Sequence, residues 1–186
     1  MKIFIGCTMM DNIDRQFKTN AHLLAAELAN NGYDLVFGAC NYGLMGIVYR
    51  AMKAKNRHIT GIVADIYKDD LLELECDEEF VIESITERNN KFLEYAEAVI
   101  FLEGGTGTLG ELFTILEAKK SSSLDIPIII YNESGYYNNL LEMLNTMYGH
   151  NMLKEKELNN FHISNDINDC IAYLEKFKVD KKKLER

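Results

Sequence analysis

The sequence predicts one α/β domain, a doubly wound, mostly parallel sheet with helices on both faces (a Rossmann-like three-layer sandwich). Three observations carry that expectation. Short runs of β-branched and aromatic residues alternate with longer stretches of helical period, the pattern of repeated βαβ units. Runs such as Ile128-Ile129-Ile130 are apolar at consecutive positions, which suits strands covered on both faces. Glycine-rich turns follow several of the runs and open helices, and the carboxyl ends of parallel strands are where such sheets bind ligands.

Taken in order, strands are expected over residues 2–5, 34–37, 59–63, a short 80–82, 98–102, 127–131 and 161–163. A first helix built on Leu23, Leu24, Ala26 and Leu28 closes at Asn31-Gly32, a C-terminal signal. Further helices are expected over 45–55, 85–95, 109–120, 137–147 and 167–177. The acidic patch 69–79, interrupted by Leu71, Leu72, Leu74 and Cys76, reads as a short helix or a surface connection. No internal repeat or low-complexity tract divides the chain, so residues 1–178 are expected to form one α/β domain. A flexible tail over 179–186 would carry the basic run Lys181-Lys182-Lys183.

Composition narrows the function. The 186 residues are 47% hydrophobic and carry a net charge of -9, which disfavours nucleic acid and anionic membranes because both need concentrated cations. No run of about 18 apolar residues suggests a membrane span. Cys7, Cys40, Cys76 and Cys170 stand far apart, without the spacing of a zinc site or the leader of a secreted protein, so reduced thiols in the cytoplasm are expected. His22, His58, His150 and His162 have no spaced partners for a metal or a Ser/His/Asp set. No metal is expected.

Three turns at the predicted strand ends are candidates for chemistry. Glu103-Gly104-Gly105-Thr106-Gly107-Thr108 follows an apolar strand and opens a helix. Its glycines permit a close backbone approach, and amides at a helix N-terminus attract an anion. With Thr106 and Thr108 adding hydroxyls, one phosphate can be held by neutral groups, and the Walker lysine pattern is absent. Close helix packing is the competing explanation of the glycines. Glu111, three residues beyond Thr108, is either a capping-box partner or a carboxylate facing the ligand. The second turn, Gly38 to Gly46, offers Gly43 and Met45 to the same crevice, again with close packing as the alternative. The third, Gly6-Cys7-Thr8, is a weak signal. Arg88, early in the helix before the fifth strand, is a planar cationic fork suited to a phosphate, a ribose hydroxyl or a purine edge, or else a surface partner of Glu87 or Glu94.

Together, Gly43-Leu44-Met45-Gly46, Arg88 and Glu103-Gly104-Gly105-Thr106-Gly107-Thr108-Leu109-Gly110-Glu111 resemble the Lonely Guy family of cytokinin-activating phosphoribohydrolases, whose motif is Pro-Gly-Gly-x-Gly-Thr-x-x-Glu. The similarity extends through Leu35-Val36-Phe37, Pro127 to Asn132 and Gly135-Tyr136-Tyr137-Asn138, nearly the whole chain. It implies hydrolysis of the N-glycosidic bond of AMP or an N6-substituted AMP, with Glu111 and Arg88 as the essential pair. The phosphate would sit on Gly104, Gly105, Thr106, Gly107 and Thr108, and Gly43, Met45, Asn89 and Asp70 would make the remaining substrate contacts. The resemblance implies no cofactor, a small nucleotide as substrate and a homodimer that shares site residues. Three positions depart from the pattern: Glu103 replaces the motif's proline, Asn89 stands where a lysine follows the arginine, and Gly110 replaces a frequent glutamate. Glu103 adds negative charge beside the proposed phosphate and would weaken binding unless its side chain turns outward. The alternative function is nucleotide binding or signalling without turnover on the same fold. A pyridoxal-phosphate decarboxylase would need a Schiff-base lysine, and no lysine is singled out.

Overall fold

The computed structural model describes residues 1–121 and 124–184. Seven strands form one sheet: β1 (Lys2–Gly6), β2 (Asp34–Phe37), β3 (Ile59–Ala64), β4 (Glu78–Ile82), β5 (Ala98–Phe101), β6 (Ile128–Tyr131) and β7 (His162–Ser164). Every pairing is parallel, in the order β4-β3-β2-β1-β5-β6-β7. The chain winds outward from β1 to one edge and returns to β5 on the other side of β1. The order therefore reverses between β1 and β5, and the crevice of an open sheet forms outside their carboxyl ends.

Strand alternation sorts the core into two layers. Ile3 and Ile5 of β1 face the layer of α1 (Arg15–Asn30), α2 (Gly43–Lys53) and α7 (Ile167–Leu184), where Leu24, Leu28, Val48, Met52 and Leu174 pack. Phe4 faces the opposite layer, built on α3 (Ile85–Tyr95), α4 (Thr106–Lys120) and α5 (Asn138–Gly149), with Phe92, Phe101, Leu112 and Ile115. Phe4 stacks on Phe92 at 4.2 Å between centroids and meets Phe101 edge-on at 6.1 Å, which seats α3 beside the end of β5. A minor helix, α6 (Glu155–Leu158), was not expected from the sequence. Its four residues are too few for helical periodicity to register.

Helix ends follow local chemistry. Asp14 caps α1 by accepting from the Gln16 amide at 2.8 Å, and Gly32 after it takes φ +78°. Ser84 caps α3, its hydroxyl accepting from the Glu87 amide at 3.2 Å and donating to the Glu87 carboxylate at 3.0 Å. Helix α1 starts well before Leu23, and α7 passes the end expected at residue 177. Residues 185–186 of the expected tail lie outside the described residues. The acidic patch resolves into the end of a 3-10 segment, Asp65–Glu73, followed by the edge strand β4. Among the described residues no helix is long and apolar enough to cross a membrane.

Gly46 shows what the second glycine turn is for. A Cβ there would lie 2.0 Å from the Asn41 carbonyl oxygen, which is backbone and cannot swing aside. Gly46→Ala should therefore lower stability by about 2–3 kcal/mol. Gly149→Ala, where a Cβ meets nothing within 4 Å, should change it by less than about 1 kcal/mol. Thermal melting of the two variants beside the parent checks both outcomes.

Candidate active site

A cavity of about 460 Å³ opens at the crest of the sheet where the strand order reverses. Cys7 and Thr8 after β1, and Gly38 and Cys40 after β2, form its floor. The N-terminus of α4 closes one side through Gly105, Thr106, Gly107 and Thr108, and α3 supplies Arg88 and Asn89. Met45, Tyr67 and Asp70 line the remaining wall.

Helix α4 begins at Thr106, three residues earlier than periodicity suggested, with Gly105 as its cap and no side chain bonded to the cap position. The turn's threonines thus lie within the first helical turn, where backbone N–H groups have no partner inside the helix. Such amides, together with the helix dipole, favour an anion.

Glu111, one turn further along α4, is buried at 5% exposure. Its Oε1 accepts from Arg88 Nη2 at 2.6 Å. That bond settles two open readings. Glu111 is not a capping-box partner of Thr108, and Arg88 is not a surface partner of Glu87 or Glu94, which turn to Ser84 and Lys91. Burial pushes the Glu111 pKa up to about 7 against the opposing pull of the Arg88 charge. The Arg88 guanidinium lies 5.2 Å from the Phe92 ring centroid. Its Nε is buried without a hydrogen-bond partner.

Two expected ligand residues are placed elsewhere. Gly43 does not line the cavity: its φ is +57°, a Cβ would lie 2.4 Å from the Met9 carbonyl carbon, and its amide donates to Asp11 Oδ1 at 2.8 Å. The neighbouring amides of Leu44 and Met45 donate to the Thr8 carbonyl at 2.9 and 3.3 Å. Close packing explains Gly43, and of the two residues expected from that turn Met45 reaches the cavity. Gly104 is roofed by Thr108, whose Oγ1 would lie 2.1 Å from a Cβ there, and its carbonyl accepts from the Tyr136 hydroxyl at 2.7 Å. Asp70 and Asn89 do border the cavity. Asn89 is 7% exposed, with Oδ1 unpartnered.

Glu103 does not take the outward orientation that would spare a phosphate its charge. It is 2% exposed and turns inward, Oε1 accepting from Ser134 Oγ at 2.6 Å. Thr8, in the turn that gave only a weak sequence signal, donates its amide to the Glu103 carbonyl at 3.0 Å while its own carbonyl anchors α2. Thr8 had no residue-type signal, because its backbone and not its hydroxyl makes these links.

The family model described as "Possible lysine decarboxylase" matches residues 45–174. The chain belongs to this family. Among the described residues no lysine lines the cavity, so the family's description finds no Schiff-base candidate there. A probable cytokinin riboside 5′-monophosphate phosphoribohydrolase of Oryza sativa subsp. japonica is 31% identical over 68% of this chain and 56% of its own length. Two cytokinin riboside 5′-monophosphate phosphoribohydrolases of Arabidopsis thaliana are 29% and 28% identical over 77% and 83% of this chain, and 67% and 68% of theirs. The chain thus spans little more than half of the rice relative and about two thirds of the Arabidopsis ones. Among solved structures, the molybdenum cofactor binding protein of Rippkaea orientalis superimposes with a TM-score of 0.68 at 22% identity, over 94% of this chain and 95% of that one. The Moco carrier protein of Chlamydomonas reinhardtii gives 0.69 at 16% identity, over 96% and 97%. These two likenesses establish the shared fold.

The raised pKa of Glu111 has a definite sign. The folded protein holds this proton at pH values where the unfolded chain has released it, so Glu111 costs stability as pH rises from the ordinary carboxylate range through about 7. Carbon-13 NMR of the Glu111 carboxyl should give a midpoint near 7. Arg88→Ala, which removes the opposing charge, should move that midpoint upward.

Proposed function

We propose that this protein hydrolyses the N-glycosidic bond of a purine nucleoside 5′-monophosphate, AMP or an N6-substituted AMP, to the free base and ribose 5-phosphate. One observation carries the reading: the buried Arg88–Glu111 pair and the uncapped N-terminus of α4 open into the same cavity. The amides and hydroxyls from Gly105 to Thr108 take the 5′-phosphate, which sets the ribose beside Glu111. The relatives' shared name, phosphoribohydrolase, supports the same bond as the target.

Cleavage breaks C1′–N9, and the base leaves with the electron pair and accepts a proton. An oxocarbenium-like centre develops at C1′ and water adds its oxygen there, releasing a proton. Ionised Glu111 stabilises that positive charge, engages a ribose hydroxyl or orients the water. Arg88 holds the nucleotide and offsets charge on the departing side. Met45, Asn89 and Asp70 border the space left for the base. The reading includes a homodimer.

Mass spectrometry of a panel of nucleoside monophosphates, N6-isopentenyl-AMP included, tests the proposal. Adenine or the N6-substituted base and ribose 5-phosphate should appear in equal amounts. Saturable binding with every nucleotide left intact would instead establish a carrier or signalling module. Glu111→Gln should cut kcat by about 10²- to 10⁴-fold while leaving nucleotide affinity within a few-fold. Because the working form is the carboxylate, kcat/KM of the parent should rise with pH through an apparent pKa near 7.

A further inference from the structure

The backbone just before the proposed phosphate turn is gripped at three consecutive residues by one segment of the connection from β6 to α5. The Tyr137 hydroxyl donates to the Leu102 carbonyl at 2.5 Å, Ser134 Oγ donates to Glu103 Oε1 at 2.6 Å, and the Tyr136 hydroxyl donates to the Gly104 carbonyl at 2.7 Å. The segment is itself held rigid. Asn132 accepts from the Tyr137 amide at 2.8 Å and donates to Asn138 Oδ1 at 2.9 Å, its own amide donates to the Ser164 carbonyl at 2.7 Å, and Gly135 turns at φ +73°. Thr8 adds a fourth tie, to the Glu103 carbonyl. With acceptors at 102, 103 and 104 all engaged from the protein side, the free amides of the turn begin at the cavity.

Of these ties only the one through Glu103 carries an ionisable acceptor. Its Oε2 is buried without a partner, and no cation is bonded to it among the described residues. The groups that face it are Ser134 and Glu133 from the β6–α5 connection, Tyr137 beside it and Cys7 from the end of β1. None supplies a positive charge, so burial favours the neutral carboxyl, while the Ser134 hydroxyl and the residue's own backbone amide pull the other way. The motif's proline would stiffen this position through its ring. Here a side-chain tether takes that place.

We propose that Glu103 is a positioning residue for the phosphate turn: as a buried neutral carboxyl anchored on Ser134 it fixes the turn's shape, and its ionisation weakens phosphate binding. The proposal rests on the reading of that turn as the phosphate site. An ionised Glu103 sets a negative charge directly behind the turn, in a medium that screens it poorly. Glu103→Gln keeps the shape and the Ser134 bond but cannot ionise.

Titration calorimetry of the full chain with ribose 5-phosphate, run from pH 5 to 9 on the parent, Glu103→Gln and Ser134→Ala, tests this. The Kd ratio of parent to Glu103→Gln should climb about tenfold across that range. The titrations of Glu111 and of the ligand are common to both proteins and cancel in the ratio. Ser134→Ala should bind severalfold more weakly at low pH and shift the inflection upward, because the hydroxyl that favours the carboxylate is gone. The melting temperature of the parent should also fall relative to that of Glu103→Gln as pH rises, since a raised folded-state pKa costs stability in that direction. A flat ratio, in a parent that binds ribose 5-phosphate, overturns the positioning role. Failure of the parent to bind ribose 5-phosphate or AMP at any pH overturns the phosphate site itself. Should Glu103→Gln not fold, an unshifted inflection in Ser134→Ala decides against the proposal.

Discussion

The ion pair between Arg88 and Glu111 joins α3 to α4 across the end of β5, and the charge balance of the cavity depends on it. The two helices flank β5 in sequence, one entering it and one leaving. Phe92 and Leu112 bury their apolar faces in the same layer, which brings the carboxylate and guanidinium to 2.6 Å. A pair with a buried carboxylate and a largely buried guanidinium is a poor source of stability, because desolvation of the ions offsets their attraction. The carboxylate's rise to about 7 despite a cation in contact records that cost. An apolar pair would seal the two helices at least as well, so the retained charge is best explained by what the open cavity does with it.

Glycine-rich turns made the crest of the sheet legible in the sequence, but they did not distinguish their own uses. A glycine that lets a ligand approach and one that lets a helix pack look alike as letters. Gly105 and Gly107 have open space where a Cβ would stand, whereas Gly43, Gly46 and Gly104 would meet neighbouring atoms at 2.4, 2.0 and 2.1 Å. The open pair borders the cavity and the crowded three do not. The crowding comes from Met9, distant in sequence from Gly43, and from Asn41 and Thr108, whose approach to Gly46 and Gly104 depends on how each turn folds and not on residue type alone.

Strand positions were recoverable because a buried parallel strand is apolar at every position, and the expected 34–37 coincides with β2. The strand expected at 80–82 proved two residues longer because β4 is an edge, where Glu78 and Glu79 can reach solvent and break the apolar signal. The start of α4 was placed late for a related reason: Thr106, Gly107 and Thr108 are weak helix formers. Their helical geometry comes from position at the end of β5 and not from propensity. The partners that matter most for the turn, Ser134, Tyr136 and Tyr137, lie about thirty residues away, beyond the reach of any spacing argument.

The three departures from the motif become one change of character when seen in the fold. Gly110 borders the cavity with nothing within 4 Å of a would-be Cβ, so the site is wider there than a glutamate would leave it. Asn89 puts a neutral amide where a lysine would add charge, and its buried Oδ1 is without a partner. Among the described residues Arg88 is then the one permanent cation lining the cavity, opposite Asp70 and Glu111. A dianionic phosphate in such a place depends on backbone amides and hydroxyls in fixed positions far more than on net charge. That dependence makes the stiffness of the turn decisive, and the inward tie of Glu103 to Ser134 lies directly behind it.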